Sequence, residues 1–543
     1  MPSNPAAWGS RVVYVLRRTD AEGKRYKSSL WAVPVAGGEA VRLTAGEWAD
    51  RQPMPHGESL YFVSDRERGE QVWRLRASGG EAERVSSFGH GGLGAGAVSP
   101  DGKTLAIVFS AGSAEPVLAV DRVARPAGDD GPGAFAGATE GEPEWKALDA
   151  APVVRVYARA HTRTDGAGWE SGFLPHLWLL DLATGAARRI TSGSFAYGAP
   201  AWYPDGQALV ATRVPLPDGD REPTRNQLVR VALDGGVEVL PKVEGVAEAP
   251  SVSEAGRVAY IHGHDGDMWG ARNPLVGIVE PDGSARLLGA ALDRPVGDWA
   301  LDDLSGAAFS PWAPLWDGDG VIVVATDRAC TRLLRLGLDG SHRWLTPHGP
   351  CVSSPVRVGE AMVGLQGFHD RFLEVARVDG DATVMSRHND ALAADLAPRV
   401  PESVEVVVDG VTVQGWYLAA RGRTTPGPAV LYVHGGPHTA YGTRLFFEMQ
   451  WLADEGFAVT WTNPRGSHSF GEAYAACIDP HWGDPDARDQ LAFVEHMAAR
   501  PEVDAARVGI TGGSYGGFMT IYMTAHHQRF SAAVADRGLY DWA

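Results

Sequence analysis

Cysteine is scarce in this chain, with only Cys330, Cys351 and Cys477 among 543 residues. An odd count with no C-x-x-C pair and no zinc-type spacing excludes a disulfide framework and a structural zinc site. It fits a reducing compartment, and each thiol is expected to be inert and buried or half-buried. Long hydrophobic runs are missing too: nothing reaches the roughly 18 apolar residues needed to span a bilayer. Basic charge is short, with 49 Lys and Arg against 67 Asp and Glu, a net charge of −18. Such a chain is a poor partner for nucleic acid or anionic lipid. Met1 to Gly9 lacks a basic region followed by an apolar core, and the short run Val12 to Leu16 meets Arg17 and Arg18 at once. No secretory leader is read, and a cytoplasmic location is expected.

What is present is abundant glycine (67 residues), 18 tryptophans and 44% hydrophobic residues. This is folded material for two to four domains at about 150 residues each, rich in turns. The first 398 residues repeat. SLWAVPVAGGEAVRLT around Trp31 returns as QVWRLRASGGEAERVS around Trp73 and LWLLDLATGAARRIT around Trp178. Further copies centre on Val229, Ile278, Leu334 and Leu373. Each is an alternating apolar run, a Gly-bearing turn and a second strand, which is a hairpin signature. A second hairpin signal, such as AVSPDGKTLAIV from Ala97, lies between copies. Two hairpins per repeat and seven repeats read as a seven-bladed β-propeller over residues 1–398. One interval is too long. Its excess, Arg125 to Pro143, is a Gly/Ala/acidic stretch without periodicity, expected to be a solvated excursion from the third blade. The chain is expected to enter its first strand near Arg11.

Within the repeats, His262, His264, Asp265 and Asp267 are metal-ligand types close together, and Asp317-Gly-Asp319-Gly320 opens like a calcium loop but lacks the closing glutamate. Both are weak signals. No metal or cofactor is expected.

After Pro398 the period changes. Ser403–Val408 and Val411–Leu418 form one more hairpin, and AVLYVH (Ala429–His434) and FAVTWT (Phe457–Thr462) read as buried strands. Helical periodicity covers Arg444–Glu455 and Asp486–Arg500, the latter with Ala487, Leu491, Val494 and Met497 on one stripe. RVGIT (Arg507–Thr511) is a strand running into Gly512-Gly513-Ser514-Tyr515-Gly516-Gly517 and a further helix. Strands alternating with helices mean a parallel α/β sheet over residues 399–543. G-x-S-x-G between strand and helix is a nucleophile elbow. Ser514 must stand exposed on a sharp turn, and the residues two before and two after it must be tiny. Tyr515 then offers its backbone N–H to an oxyanion. His434-Gly435-Gly436-Pro437, directly after a strand, stands where an α/β-hydrolase keeps its second oxyanion donor. His434 precedes the nucleophile in the chain and is expected to be structural.

These features together resemble the prolyl oligopeptidase family of serine peptidases: the propeller, HGGP, Asn463-Pro-Arg-Gly-Ser467, Trp482-Gly483 and GGSYGG. The resemblance covers nearly the whole chain. Within the family, HGGP and the tyrosine after the serine resemble the acylaminoacyl-peptidase branch. The Gly513 before the serine and the lack of a Glu-Glu pair differ from the dipeptidyl-peptidase branch. The resemblance implies Ser514 as nucleophile, an oxyanion hole from Tyr515 and the HGGP glycines, Gly436 ahead of Gly435, and cleavage of short, N-acylated peptides. It also implies frequent oligomers and an N-terminal segment folded back onto the hydrolase.

A serine nucleophile needs a base and an orienting carboxylate, in this fold in the order Ser, Asp or Glu, His. Only 29 residues follow Ser514, and no histidine follows Asp536 or Asp541. His526, twelve positions along a helix, would lie roughly 18 Å away at about 1.5 Å per residue, where a base must approach to about 3 Å. The expectation is an incomplete hydrolase domain, inactive as it stands. An esterase on the same fold and a non-catalytic propeller scaffold stay open as alternatives.

Overall fold

The computed structural model describes residues 1–111, 163–164, 168–169 and 174–541, apart from 68, 90, 216–224, 268–269, 305–311, 381 and 480. The expected excursion at 125–143 lies outside the described residues.

Seven antiparallel sheets lie between residues 2 and 384, six of them built of consecutive strands and the third of two hairpins' strands separated by the long interval. Every repeat read from the sequence supplies the outer strands of one blade. In blade 1, Arg25–Pro34 is followed by the two-residue edge strand Val41–Arg42. The turns between such strands need left-handed backbone, which Gly79 (φ 86°) and Gly340 (φ 88°) supply without steric cost. Outermost strands are only two to four residues long, for example Glu83–Arg84 and His342–Trp344, which limits edge-to-edge pairing. The cores lie between blades. Val12, Tyr14 and Val33 of blade 1 pack on Val363, Leu365 and Val375 of blade 7, so the ring closes by side-chain packing rather than by a shared strand. In blade 3 the long interval falls between Thr104–Ala111 and His176–Asp181, which pair directly.

Two expectations need correction. The chain enters its first strand at Pro2, not near Arg11: Pro2–Trp8 pairs with Arg11–Asp20, and the Met1 amino group bonds the Arg17 carbonyl at 2.7 Å. Cys477 is exposed, while Cys330 and Cys351 are buried. The two weak motifs are occupied by protein partners. His264 Nε2 bonds the Asn273 carbonyl, Asp267 accepts the Ala271 and Arg272 amides, and Asp317 pairs with Arg335 and Arg357. Among the described residues no group of three His, Cys, Asp or Glu side chains could hold a metal, and no helix is long and apolar enough to cross a membrane.

The hydrolase sheet has six strands: β1 (Glu402–Val408), β2 (Val411–Leu418), β3 (Gly427–Val433), β4 (Ala458–Asn463), β5 (Val503–Gly513) and β6 (Ala532–Asp536). Their order is β1-β2-β4-β3-β5-β6, antiparallel up to β4 and parallel from there. Helix α1 (Phe447–Asp454) covers one face, its Met449 and Ala453 packing on Trp416, Val459 and Trp461. Helices α2 (Pro485–Ala498) and α3 (Tyr515–His526) cover the other. There Val494, Met497, Met519 and Met523 meet Leu431, Val433 and Ile510. Both faces of β4 are covered, as its apolar run requires, whereas the edge strand β6 is largely exposed.

Candidate active site

Three loops leave the carboxyl ends of neighbouring parallel strands, the edge where open α/β sheets build their sites. β5 ends at Gly513, and Ser514 turns the chain into α3. Its φ of 59° and ψ of −120° fall outside the regions a non-glycine residue normally adopts, and its side chain is exposed. The neighbouring glycines explain how the turn is tolerated. A Cβ on Gly516 would stand 2.3 Å from the Val433 carbonyl oxygen, and one on Gly512 would stand 2.6 Å from the same atom. Strand and helix pass so closely that neither site admits a methyl group. Gly513 differs: its Cβ would meet only the Arg537 guanidinium, at 3.1 Å. The Ser514 amide bonds the Asp536 carbonyl at 3.0 Å. As first residue of α3, Tyr515 has no intrahelical acceptor for its N–H.

β3 ends beside β5, with Val433 paired to Gly512. That register carries His434-Gly435-Gly436 to the elbow, where a Cβ on Gly435 would lie 3.4 Å from the Ser514 Cβ. Gly436 has a φ of 125°, and a Cβ there would stand 2.8 Å from the His438 amide nitrogen. Thus the structure brings Ser514, Tyr515 and the HGGP glycines together. His434 does not touch Ser514. Its Nε2 meets Ser467 Oγ at 2.9 Å and its Nδ1 the Gly435 carbonyl at 2.7 Å. Burial pushes its imidazole down to about 4, so it is neutral at pH 7.

The third loop, Asn463 to Ser467, braces the other two. Asn463 bonds the Tyr441 backbone through both side-chain atoms, and Arg465 pairs with the buried Asp489 of α2 at 2.6 Å. Sequence periodicity missed one support altogether. Asp486, in the first turn of α2, is fully buried and accepts the Tyr515 hydroxyl and the Gly483 amide. Trp482 stands edge-on to the Tyr515 ring at 5.1 Å. An acidic residue in a helix reads as solvated, so only the nearby Trp-Gly pair signalled this contact.

Among the described residues no side chain hydrogen-bonds the Ser514 hydroxyl. His526 sits at the far end of α3, stacked on Tyr522 and bonded to its carbonyl at 2.8 Å. The Asp536 carboxylate pairs with Arg537.

Residues 443–543 match the model of the prolyl oligopeptidase family. The chain thus resembles this family within its hydrolase part. It is 28% identical to an uncharacterised peptidase, YuxL, of Bacillus subtilis (strain 168), across 98% of this chain and 80% of that one. Similarity to an acylamino-acid-releasing enzyme of Arabidopsis thaliana, 26% identical, spans 40% of this chain and 27% of the plant protein. The acylaminoacyl peptidase of Pyrococcus horikoshii superposes with a TM-score of 0.78 at 20% identity, over all of this chain and 78% of the other, and shares the fold. A β-propeller followed by an α/β-hydrolase domain is thereby shown as the fold, and the hydrolase part is similar to the prolyl oligopeptidase family.

Proposed function

We propose that the protein cleaves short N-acylated peptides through an acyl-enzyme on Ser514, releasing the terminal N-acylated amino acid. The observation that carries this reading is the strained, exposed Ser514 with Gly435 packed against it. Ser514 Oγ attacks the carbonyl, and the oxyanion falls between the Tyr515 and Gly436 N–H groups, with Gly435 giving the close approach. Gly513 before the serine, Tyr515 after it and the similarity to acylamino-acid-releasing enzymes support blocked peptides as the substrate class. Free thiols and the absence of any disulfide among the described residues support a reducing, cytoplasmic setting. Among the described residues none stands as a base at the Ser514 hydroxyl. A positioned base contributes about 10²–10⁴-fold.

A fluorophosphonate probe and an N-acetylated peptide test this reading. The product of the whole reading frame is expected to label at Ser514 and turn over the peptide, and Ser514→Ala to abolish both. Residues 1–543 alone are expected to label at least roughly a hundredfold more slowly. Undiminished peptide turnover by Ser514→Ala overturns the assignment, and rapid labelling of residues 1–543 overturns the missing base.

A further inference from the structure

Between blades 5 and 6 the propeller extends a short arm, residues 298–303, into the hydrolase. Ala300 and Leu301 pair in parallel with Ala440 and Tyr441, and the Ala440 amide donates to the Trp299 carbonyl at 3.0 Å. Arg444, 2% exposed, pairs with Asp298, 0% exposed, and donates to the Ala300 carbonyl at 2.9 Å. Asp303 accepts the Phe447 and Glu448 amides at 2.9 and 2.8 Å, satisfying two N–H groups at the start of α1. Separating a buried charge pair strands two ions in the interior, so this contact resists opening.

The arm pairs with the segment that carries the HGGP glycines. One residue before Ala440, the Thr439 hydroxyl donates to the Gly435 carbonyl at 2.6 Å, and the Thr439 carbonyl accepts the His468 amide at 3.0 Å. Two hydrogen bonds joined by the Thr439–Ala440 peptide link therefore connect the propeller backbone at Trp299 to Gly435 beside Ser514. The strand partner of Ala440–Tyr441 is the arm, while the hydrolase sheet reaches the segment through the Asn463 side chain, which bonds the Tyr441 backbone.

We propose that propeller residues 298–303 are a positioning element for the loop Gly435–Gly436, so that docking of the propeller sets the oxyanion donors against Ser514. The catalytic consequence rests on the function proposed above; the placement of the loop does not. Coupling of this kind requires an element that both sides bias. Here that element is the two-strand pairing across the domain boundary.

Gly442 offers a way to loosen the arm alone. A Cβ there would lie 2.6 Å from the Ala300 Cβ and 3.1 Å from the Ala329 carbonyl oxygen, and its φ is not left-handed. Gly442→Ala therefore forces the arm away, and Ala300→Gly on the propeller side removes the main obstruction. Amide hydrogen exchange in residues 1–543 reads the result. Gly442→Ala is expected to speed exchange at least tenfold both at Ala440, which bonds across the boundary, and at Thr439, whose amide bonds the Pro437 carbonyl inside the loop. The Ala300→Gly double variant is expected to restore both. In the whole reading frame's product, kcat is expected to fall at least tenfold with KM unchanged and to recover in the double variant. Faster exchange at Ala440 alone would mean that the arm docks without positioning the loop, and would overturn the proposal. So would a failure of Ala300→Gly to rescue. Asp303→Ala, which removes only the exposed cap, gives the same Thr439-against-Ala440 readout if Gly442→Ala does not fold. The exchange results stand even if Ser514→Ala disproves the peptidase reading.

Discussion

Two glycines of one motif, Gly513 and Gly516, are predicted to respond unequally to the same substitution. An alanine Cβ at 516 would approach the Val433 oxygen to 2.3 Å, with the Val433 carbonyl carbon and the His434 oxygen each at 3.0 Å. All three atoms are backbone, and Val433 belongs to the central parallel strand, so either β3 or α3 must move. Overpacking of this kind costs about 1–3 kcal/mol, and a purely backbone clash belongs near the upper end. Replacing glycine by alanine in a helix returns about 1 kcal/mol. The net expectation for Gly516→Ala is a loss of about 2 kcal/mol. For a domain of this size that is a fall of roughly 4–8 °C in the hydrolase transition. At 513 the obstruction is the Arg537 guanidinium, 77% exposed and free to swing away, so Gly513→Ala is expected to change stability by less than about 0.5 kcal/mol. The assay is chemical denaturation followed by tryptophan fluorescence. Trp416, Trp461 and Trp482 report the hydrolase, and because two domains unfold, its transition is read separately from the propeller's. Equal losses at the two positions, or a fully stable Gly516→Ala, would refute the argument that close strand–helix passage dictates the motif.

Tyr515→Phe removes the hydroxyl that Asp486 accepts in the interior and is expected to cost about 2 kcal/mol, as for hydrogen bonds to charged groups. A double-mutant cycle with Asp486→Asn should show coupling of about 1 kcal/mol or more, and strict additivity would deny the contact. Acid should also weaken the hydrolase. Burial, with His438 nearby in both cases, holds His434 down to about 4 and His468 to about 3, whereas unfolded imidazole titrates near 6.5. The unfolded chain therefore binds more protons below 6.5. Stability is intact above that pH and is lost as pH falls toward the folded values, by roughly 3 kcal/mol for His434 at about 1.4 kcal/mol per unit. Urea midpoints at pH 7 and pH 4.5 measure this, and a His434→Gln variant with an unchanged slope between them would remove His434 from the account.

The contrast between what was and was not legible in the sequence has a physical cause. Seven blades could be counted because each turn requires glycine at a fixed offset from an alternating strand, and both constraints act within about fifteen residues. The elbow was legible for the same reason: Gly512 and Gly516 answer to atoms one strand away in a register set by local geometry. The innermost strand of blade 1 was not. Pro2–Trp8 was missed because Pro2 and Pro5 argue against a strand, yet proline is admitted at a strand's first residue and at a bulge, and this strand shifts register between Ser3 and Ala6. The same bulge recurs in other blades with Gln52, Ala249 and Ser354 at positive φ. None of these residue types advertises that conformation. Contacts between distant segments leave still less trace. Asp298 and Arg444 are 146 residues apart, and Arg444 falls in a stretch that reads as helix although α1 begins only at Phe447. Asp486, Asp489 and Gln490 sit buried in α2 because Tyr515 and Arg465, on other loops, reach two of them. A helical period places such residues on a face but carries no information about which partner that face will meet. The nucleophile, dictated by its own neighbours, can therefore be read from one sequence, whereas the arm that holds its oxyanion loop has to be seen in three dimensions.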